Sequence, residues 1–359
     1  MIWIWSAFIS FVLVLLALDL GVFHRHAHVV KTKEALLWSA AWITLAFAFT
    51  GVVYFLYESH WHGIGLTTDL MSVTTANPLG HNDGATAALK FVTGYLIEKS
   101  LSVDNIFVIA LMFGMVKVPA LYRHRVLFWG ILGALVMRGV MIAVGARMIT
   151  QFSWTIYVFG GILILTALKM LFMEEDEGDP MDSAALRWAR KAMPVTDRFH
   201  GEHFFVKTGT KASHEAPVPG AVEQVDHAVD KAKRGTWMMT PLLLALIVVE
   251  FTDLVFAVDS IPAIFAITTD PFLVFTSNVF AILGLRSLYF ALEGMIDKFH
   301  HLKTALALVL LLVGVKMLAH PWLKATLGGN FNLWMLLVVL AILAGGVIAS
   351  LVFPKLKES

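Results

Sequence analysis

Acidic side chains occur inside two long apolar segments of this sequence, where chemistry that needs charge is expensive to maintain. The acids are Glu98 and Asp104 in EKSLSVDN, and Glu250, Asp253 and Asp259 in EFTDLVFAVDS. The amide of Asn105 directly follows Asp104. If lipid surrounds these segments, each acid at the bilayer centre raises the free energy by at least ~2.5–3.5 kcal/mol. So many buried carboxylates need compensation, either from basic side chains or from a bound cation.

Further oxygen donors accompany the acids in both segments. Ser102 and Ser260 add hydroxyl groups beside them. Pro262 has no N–H, so the carbonyl of Val258 loses its helical hydrogen bond, and a bend or break is predicted there. Carboxylates, an amide, hydroxyls and a free carbonyl form an all-oxygen set, which suits Mg²⁺, Ca²⁺ or Mn²⁺ better than Cu⁺ or Zn²⁺. The two segments therefore predict a site for a hard divalent cation.

The alternative is that the same acids are neutralised within the protein. Lys99, Arg138 and Arg286 are cations inside apolar segments, and a guanidinium can hold a carboxylate through two parallel hydrogen bonds. Under this alternative the acids lock helices together and bind no ion. Asp19, near the inner end of the first apolar segment, is either part of a gate or an ordinary interfacial residue. Asn278 is a further polar residue that we expect to support the acidic site.

The segments that position these residues are long enough to cross a membrane. Hydrophobic residues make up 58% of the chain and charged residues 15%, against roughly 25% charge in a soluble domain. About 20 apolar residues span the ~30 Å hydrocarbon core. Nine candidate spans lie at residues 2–23, 36–57, 89–116, 126–148, 152–173, 237–268, 272–295, 302–320 and 331–353. The predicted fold is an all-α polytopic membrane protein with about nine transmembrane helices.

Positive charge is distributed unequally between alternate loops. Lys and Arg concentrate on the cytoplasmic side of short loops. Nineteen of these residues fall on one side, nine of them in the connection 174–236, against about three on the other side. This bias predicts an external N-terminus and a cytoplasmic C-terminus.

Three sequence matches, in the same order, relate spans three to five to spans six to eight. EKSLSVDNI matches DLVFAVDSI, which pairs Glu98 with Asp253 and Asp104 with Asp259. GILGALVMRG then matches AILGLRS, and LILTALKML matches LLLVGVKML. Because each unit has three spans, the second must be inverted, as in secondary transporters whose sites lie near the midplane between repeats. The repeat predicts that these four acids meet at one locus.

The repeats define the expected organisation of the chain. In order, the parts are two spans with an external loop (1–88), the first three-helix repeat (89–173), a cytoplasmic connection (174–236), the inverted repeat (237–320), and a last span with its tail (321–359).

The connection 174–236 is the one sizeable soluble part predicted. Its segment SAALRWARKAM reads as an amphipathic helix that either lies on the inner leaflet or simply connects two spans. The polar remainder, 211–235, reads as a flexible linker. Protein partners are expected through this connection, beside the lipid bilayer and the metal ion. A net charge of +1 without a basic tract indicates no nucleic-acid partner.

The motifs EKSLSVDN, EFTDLVFAVDSIPAIFAITTDPF and SNVFAILGLRSLYF resemble those of the TerC family of bacterial membrane proteins, most closely its Alx-like branch. The resemblance covers nearly the whole chain except part of 206–235. It implies a protein of the bacterial inner membrane, similar to the LysE group of exporters. The family is named for tellurite resistance, and the resemblance implies manganese export or related metal-ion homeostasis, linked to alkaline pH in the Alx-like branch. The same acids and amide that the composition singles out would line the ion path.

The leading expectation is a secondary-type transporter that exports a divalent cation. The expected ion is Mn²⁺, and no permanently bound cofactor is expected. The alternatives are a proton- or sodium-coupled antiporter in alkaline pH homeostasis, and a non-transporting scaffold that helps exported proteins acquire metal. The sequence contains no cysteine, which excludes disulfides, thiolate metal sites and dithiol redox chemistry within it. No enzymatic activity is expected.

Overall fold

The structure is a computed structural model that describes residues 2–21, 32–74, 77–152, 154–172, 184–214, 226–293, 300–327 and 331–352. Helices dominate this part of the chain: α1 (Ile2–Gly21), α2 (Thr32–Glu58), α3 (Gly84–Val116), α4 (Ala120–Gln151), α5 (Thr155–Phe172), α6 (Ala184–Ala192), α7 (His227–Lys231), α8 (Pro241–Phe265), α9 (Pro271–Leu283), α10 (Leu285–Leu292), α11 (His300–Leu327) and α12 (Phe331–Val352). Two short strands, β1 (Phe205–Lys207) and β2 (Trp237–Met239), pair antiparallel.

Among the described residues, eight helical stretches are long and apolar enough to cross a membrane, and α1 is a further apolar helix. One of the eight, Pro271–Leu292, consists of α9 and α10 joined at Gly284. The predicted all-α polytopic membrane protein is confirmed. The division into two inverted repeats stays a prediction.

Capping carboxylates define where two central helices begin. The Asp83 carboxylate accepts a hydrogen bond from the Thr86 N–H at 2.7 Å, which caps α3. The Asp270 carboxylate accepts one from the Phe272 N–H at 2.9 Å, which caps α9. An N-terminal cap satisfies backbone donors that have no partner within the helix. The caps therefore fix the residues at which α3 and α9 begin.

α8 runs without a break through the acidic segment, although Pro262 lies inside it. Of the bend or break predicted near this proline, the break is therefore wrong. The helix ends at Phe265, so the missing backbone hydrogen bond affects only its last turns. The Val258 residue is 49% exposed, and the contribution predicted for its backbone carbonyl stays a prediction.

The acid-bearing helices α3 and α8 are antiparallel neighbours. Glycines let α4 approach α8 closely, since Gly130 lies against Val249 and Gly145 lies against Phe265. Both residue numbers rise together along this contact, so α4 and α8 run in the same direction. The short connection 117–119 turns the chain back between α3 and α4, and α3 also packs against α8. α9 completes the centre, with nearly all its side chains buried.

Part of the connection between α5 and α8 is folded. Val206, Val229 and Met238 form a small apolar core between the strands and α7, and α6 packs on α8. The expectation of a flexible linker over 211–235 is therefore wrong for its last ten residues, while 215–225 lie outside the described residues. The sequence of this segment is mostly polar, so the few apolar residues that pack in its small core do not stand out in the sequence.

A fully buried ion pair joins the loop after α2 to α3. Lys90 Nζ lies 2.7 Å from Asp69 Oδ2. The Asp69 carboxylate also accepts hydrogen bonds from Asn82 Nδ2 at 3.1 Å, from the Thr269 N–H at 2.9 Å and from the Thr268 hydroxyl. Burial alone would raise the pKa of Asp69, but Lys90 and these hydrogen bonds outweigh it and hold that pKa below its usual range. The ionised pair ties this loop to the turn between α8 and α9.

Replacing Lys90 with methionine should lower the unfolding temperature of the purified protein in detergent. The substitution leaves the Asp69 carboxylate buried without its cation, and removing one partner of a buried pair typically destabilises by ~3–5 kcal/mol. Lys207→Met removes an exposed cation from β1 and is the matched control. An unchanged unfolding temperature for Lys90→Met would show that the pair does not stabilise the fold.

The orientation predicted from loop charge can be tested by cysteine labelling, because the chain has no cysteine of its own. Thr68, in the loop after α2, and Thr210, after β1, are both exposed. We expect Thr68→Cys to react with a membrane-impermeant maleimide in intact cells, and Thr210→Cys to react only after permeabilisation. The opposite labelling pattern would reverse the orientation and the transport direction inferred from it.

Candidate functional site

Arg138 lies at the centre of the cluster formed by the acidic segments. Its guanidinium holds the Asp253 carboxylate in two places, with Nε 3.1 Å from Oδ2 and Nη2 2.7 Å from Oδ1. Nη1 forms an ion pair with Glu98. Glu98 and Arg138 are almost completely buried, and Asp253 is 8% exposed. One residue of α4 thus neutralises carboxylates from both α3 and α8.

Two neutral side chains complete this cluster. Asn105 Nδ2 donates to Asp253 Oδ1 at 3.3 Å, and Arg138 Nη1 donates to Ser260 Oγ at 3.4 Å. The Asn105 side-chain oxygen is buried and accepts no hydrogen bond from any described residue. A buried polar atom without a partner raises the free energy of the fold, and such atoms in native proteins call for an explanation. This oxygen is available to a ligand.

A small, mostly apolar recess of about 20 Å³ lies beside Asp253, enough for about one water molecule. Its polar residues are Asn105, Thr252 and Asp253, and its apolar residues come from α3, α4, α8 and α10. Asn105 and Asp253 therefore line a space that a small solute can occupy.

Glu250 lies about one helical turn before Asp253 on α8, with its carboxylate pressed against Gly133 of α4. A side chain at position 133 would overlap the carboxylate, so the close approach depends on glycine there. Glu250 is partly exposed, in contrast to Glu98. It thus occupies a less buried position on the same helix.

Asp259 has a different environment from Asp253. It is partly exposed, and its Oδ1 accepts a hydrogen bond from Thr166 Oγ1 of α5 at 2.8 Å. Lys169, one turn further along α5, is near enough for its charge to act on this carboxylate. Because its hydrogen-bond partner is a neutral hydroxyl, Asp259 is much less constrained than the acids that hold Arg138.

The remaining predicted site residues are less closely tied to the cluster. Ser102 donates its hydroxyl to the Glu98 carbonyl at 2.8 Å, within α3. Lys99 Nζ donates to the Ala281 carbonyl at 3.2 Å and so contacts α9 instead of an acid. Arg286 is buried on α10. Asn278 is 1% exposed, and its amide has no hydrogen-bond partner among the described residues.

The predicted gathering of four acids is only partly visible. The side chains of Asp19 and Asp104 lie outside the described residues. Among the described side chains, no three His, Asp or Glu residues lie close enough together to hold a metal ion. Glu98 and Asp253 do converge, but on Arg138. The role of the predicted metal set therefore stays a prediction.

Sequence reasoning missed Gly133 and Thr166. Gly133 occurs in GILGALVMRG, the segment already matched between the repeats, so its position could have been flagged as a helix-packing glycine. Thr166 has no sequence signal, because one threonine in an apolar helix commonly donates to its own backbone.

Residues 83–358 match the family described as Integral membrane protein TerC family. The chain is 45% identical over 349 residues to an uncharacterized membrane protein of Myxococcus xanthus, covering 97% of this chain and 92% of that protein. It is 41% identical over 317 residues, 88% of this chain and 85% of the relative, to an Escherichia coli (strain K12) protein that carries the provisional description of a membrane-bound redox modulator, Alx.

A membrane protein of Rickettsia bellii is 35% identical over 340 residues, which cover 95% of this chain and 96% of the relative. No solved structure matches the chain significantly. The family match covers well over half of the chain and agrees with the membrane-spanning helices. The chain belongs to the TerC family of integral membrane proteins.

Proposed function

We propose that this protein is a secondary-type transporter that exports a divalent metal cation, Mn²⁺ in particular, through the acidic site between α3, α4 and α8. The observation that carries the proposal is the meeting of Glu98 and Asp253 from antiparallel helices, beside a recess lined by Asn105 and Asp253. Intramembrane acids that face the interior of a helical bundle mark ion pathways in membrane proteins.

The donor atoms support a hard ion as the cargo. The candidate ligands around the recess are carboxylate, amide and hydroxyl oxygens, and the whole chain has no cysteine. Oxygen sites favour Mg²⁺, Ca²⁺ and Mn²⁺, whereas thiolate ligands favour softer ions. Of these hard ions, Mn²⁺ follows from the motif resemblance to exporters of manganese.

The description of the Escherichia coli relative suggests a redox reaction for that protein. This sequence contains no cysteine, so it has no dithiol for such a reaction. Transport of a redox-active metal ion would affect cellular redox balance without any reaction at the protein itself. We therefore favour transport over a thiol-based reaction.

The two partly exposed acids of α8 support a path that extends beyond the Arg138 cluster. Glu250 and Asp259 are both partly exposed and lie on either side of Asp253 along the helix. Glu250, Asp253 and Asp259 follow one another along the axis of α8, with Glu250 facing α4 and Asp259 facing α5. In the orientation predicted from loop charge, this order runs from the cytoplasmic end of α8 outwards.

Asp259→Asn should abolish Mn²⁺ flux in proteoliposomes and Mn²⁺ tolerance in cells, while the protein remains at its normal abundance. The substitution keeps the volume and removes a charge whose hydrogen-bond partner is only the Thr166 hydroxyl, so no arginine is left unpaired. Asp253→Asn is a less decisive test, because it also loosens the hold on Arg138. Asp230→Asn, on the exposed surface of α7, is the matched control.

Normal export by Asp259→Asn would overturn the predicted role of this acid. Proton or sodium movement by the wild-type protein without Mn²⁺ dependence would instead favour a cation antiporter in pH homeostasis. The absence of any flux, together with a loss of metal from exported proteins when the chain is deleted, would favour the scaffold alternative.

A further inference from the structure

We propose that Arg138 acts as a tethered cation, which occupies the acidic site when no metal ion is bound and must leave it when the ion enters. This inference rests on the proposed function, since it assigns a role in ion release to a residue of the same site. The guanidinium already contacts both carboxylates, from Glu98 and Asp253, that face each other across α3 and α8.

Charge makes the two occupants mutually exclusive. Glu98 and Asp253 together carry two negative charges in a buried environment, and Arg138 supplies one positive charge to both. Electrostatic interactions are strong where little water is present. A divalent ion bound by the same carboxylates would repel the guanidinium at close range. The ion can therefore bind both acids only after Arg138 has moved away.

The structure contains a neutral acceptor for the displaced guanidinium. Ser260 lies seven residues, or about two helical turns, beyond Asp253 on the same face of α8. Its hydroxyl oxygen is already 3.4 Å from Arg138 Nη1. Ser260 can solvate the guanidinium but cannot hold it by charge. If the arginine side chain rotates toward Ser260, Asp253 is released while Nη1 keeps a hydrogen-bond partner. Nη1 is also the atom paired with Glu98, so the same movement must exchange Glu98 for Ser260.

The amide of Asn105 is only half satisfied by this cluster. Its Nδ2 donates to Asp253 Oδ1 at 3.3 Å, while its side-chain oxygen is buried and has no hydrogen-bond partner among the described residues. Asn105 and Asp253 both line the recess. A structural ion pair does not need this oxygen, whereas a metal ion held by Asp253 would accept it as a ligand.

The consequence is that Arg138 promotes release of the bound ion. When the ion departs, the guanidinium returns to Glu98 and Asp253 and prevents the two carboxylates from remaining uncompensated. When the ion is bound, the returning arginine competes with it and accelerates its release. Arg138 thereby lowers the affinity of the site for the metal ion and raises the rate of transport, as expected when one group competes for the ligands of another.

Arg138→Gln tests this role with MnCl₂ as the probe. The Mn²⁺ affinity of the purified full-length protein in detergent is to be measured from the electron paramagnetic resonance signal of free Mn²⁺. The maximal Mn²⁺ flux is to be measured in proteoliposomes. Without its competitor, the site should bind Mn²⁺ about tenfold more tightly, which equals about 1.4 kcal/mol. Maximal flux should fall, because release becomes slow. Arg147→Gln, an exposed arginine on the same helix, should change neither quantity.

Arg138→Lys provides the second variant if Arg138→Gln is poorly folded. The lysine ammonium lacks the planar fork that holds two carboxylates at once, so it should compete less well. We expect Mn²⁺ affinity between those of the wild type and Arg138→Gln. If either variant folds and binds Mn²⁺ no more tightly than the wild type, Arg138 is a structural pair and the tethered-cation proposal is wrong. If the wild type neither binds nor transports Mn²⁺, the proposed function itself fails.

Discussion

The arrangement of the bundle depends on one constraint, that charges within lipid must be neutralised by the protein itself. Arg138 satisfies it by pairing with Glu98 and Asp253, so a single side chain on α4 links three helices. Separating any two of these helices would leave a charge unpaired in a medium that solvates it poorly. The pairing therefore fixes which helices are neighbours as firmly as the apolar packing around it. The glycines along α4 then allow the close contact with α8 that the pairing requires.

The molecule contains two buried ionic clusters that differ in how fully they are satisfied. Around Asp69, an ammonium, an amide, a hydroxyl and backbone N–H groups use the acceptor capacity of the carboxylate. Around Arg138, the buried amide oxygen of Asn105 has no hydrogen-bond partner among the described residues, and Asn105 lines a recess. A saturated network rigidifies a protein, whereas an incomplete one has capacity for a ligand. This contrast separates the structural cluster from the functional candidate, although both consist of the same residue types.

The sequence was sufficient to predict the membrane spans and the acids, because the physical signals are strong and local. Long apolar runs have few alternatives to membrane helices, and a carboxylate within one is conspicuous. Tertiary contacts were harder to foresee. Arg138 was one of three candidate cations, and nothing local indicated that Lys99 would contact a backbone carbonyl while Arg138 took both acids. Pro262 suggested a break, but its effect depends on how near the helix end lies, which is set by packing.

The pairing around Arg138 also bears on how the chain enters the membrane during synthesis. Glu98 and Arg138 belong to α3 and α4, a helical hairpin that leaves the ribosome more than a hundred residues before Asp253. Within that hairpin the two charges can neutralise each other, so the first half of the protein can be released into lipid without its later partner. Asp253 then arrives on a helix with no such companion of its own, and it gains one by docking against the finished hairpin. The order of residues along the chain would thus allow the early ion pair of Glu98 and Arg138 to form the docking site for the later Asp253.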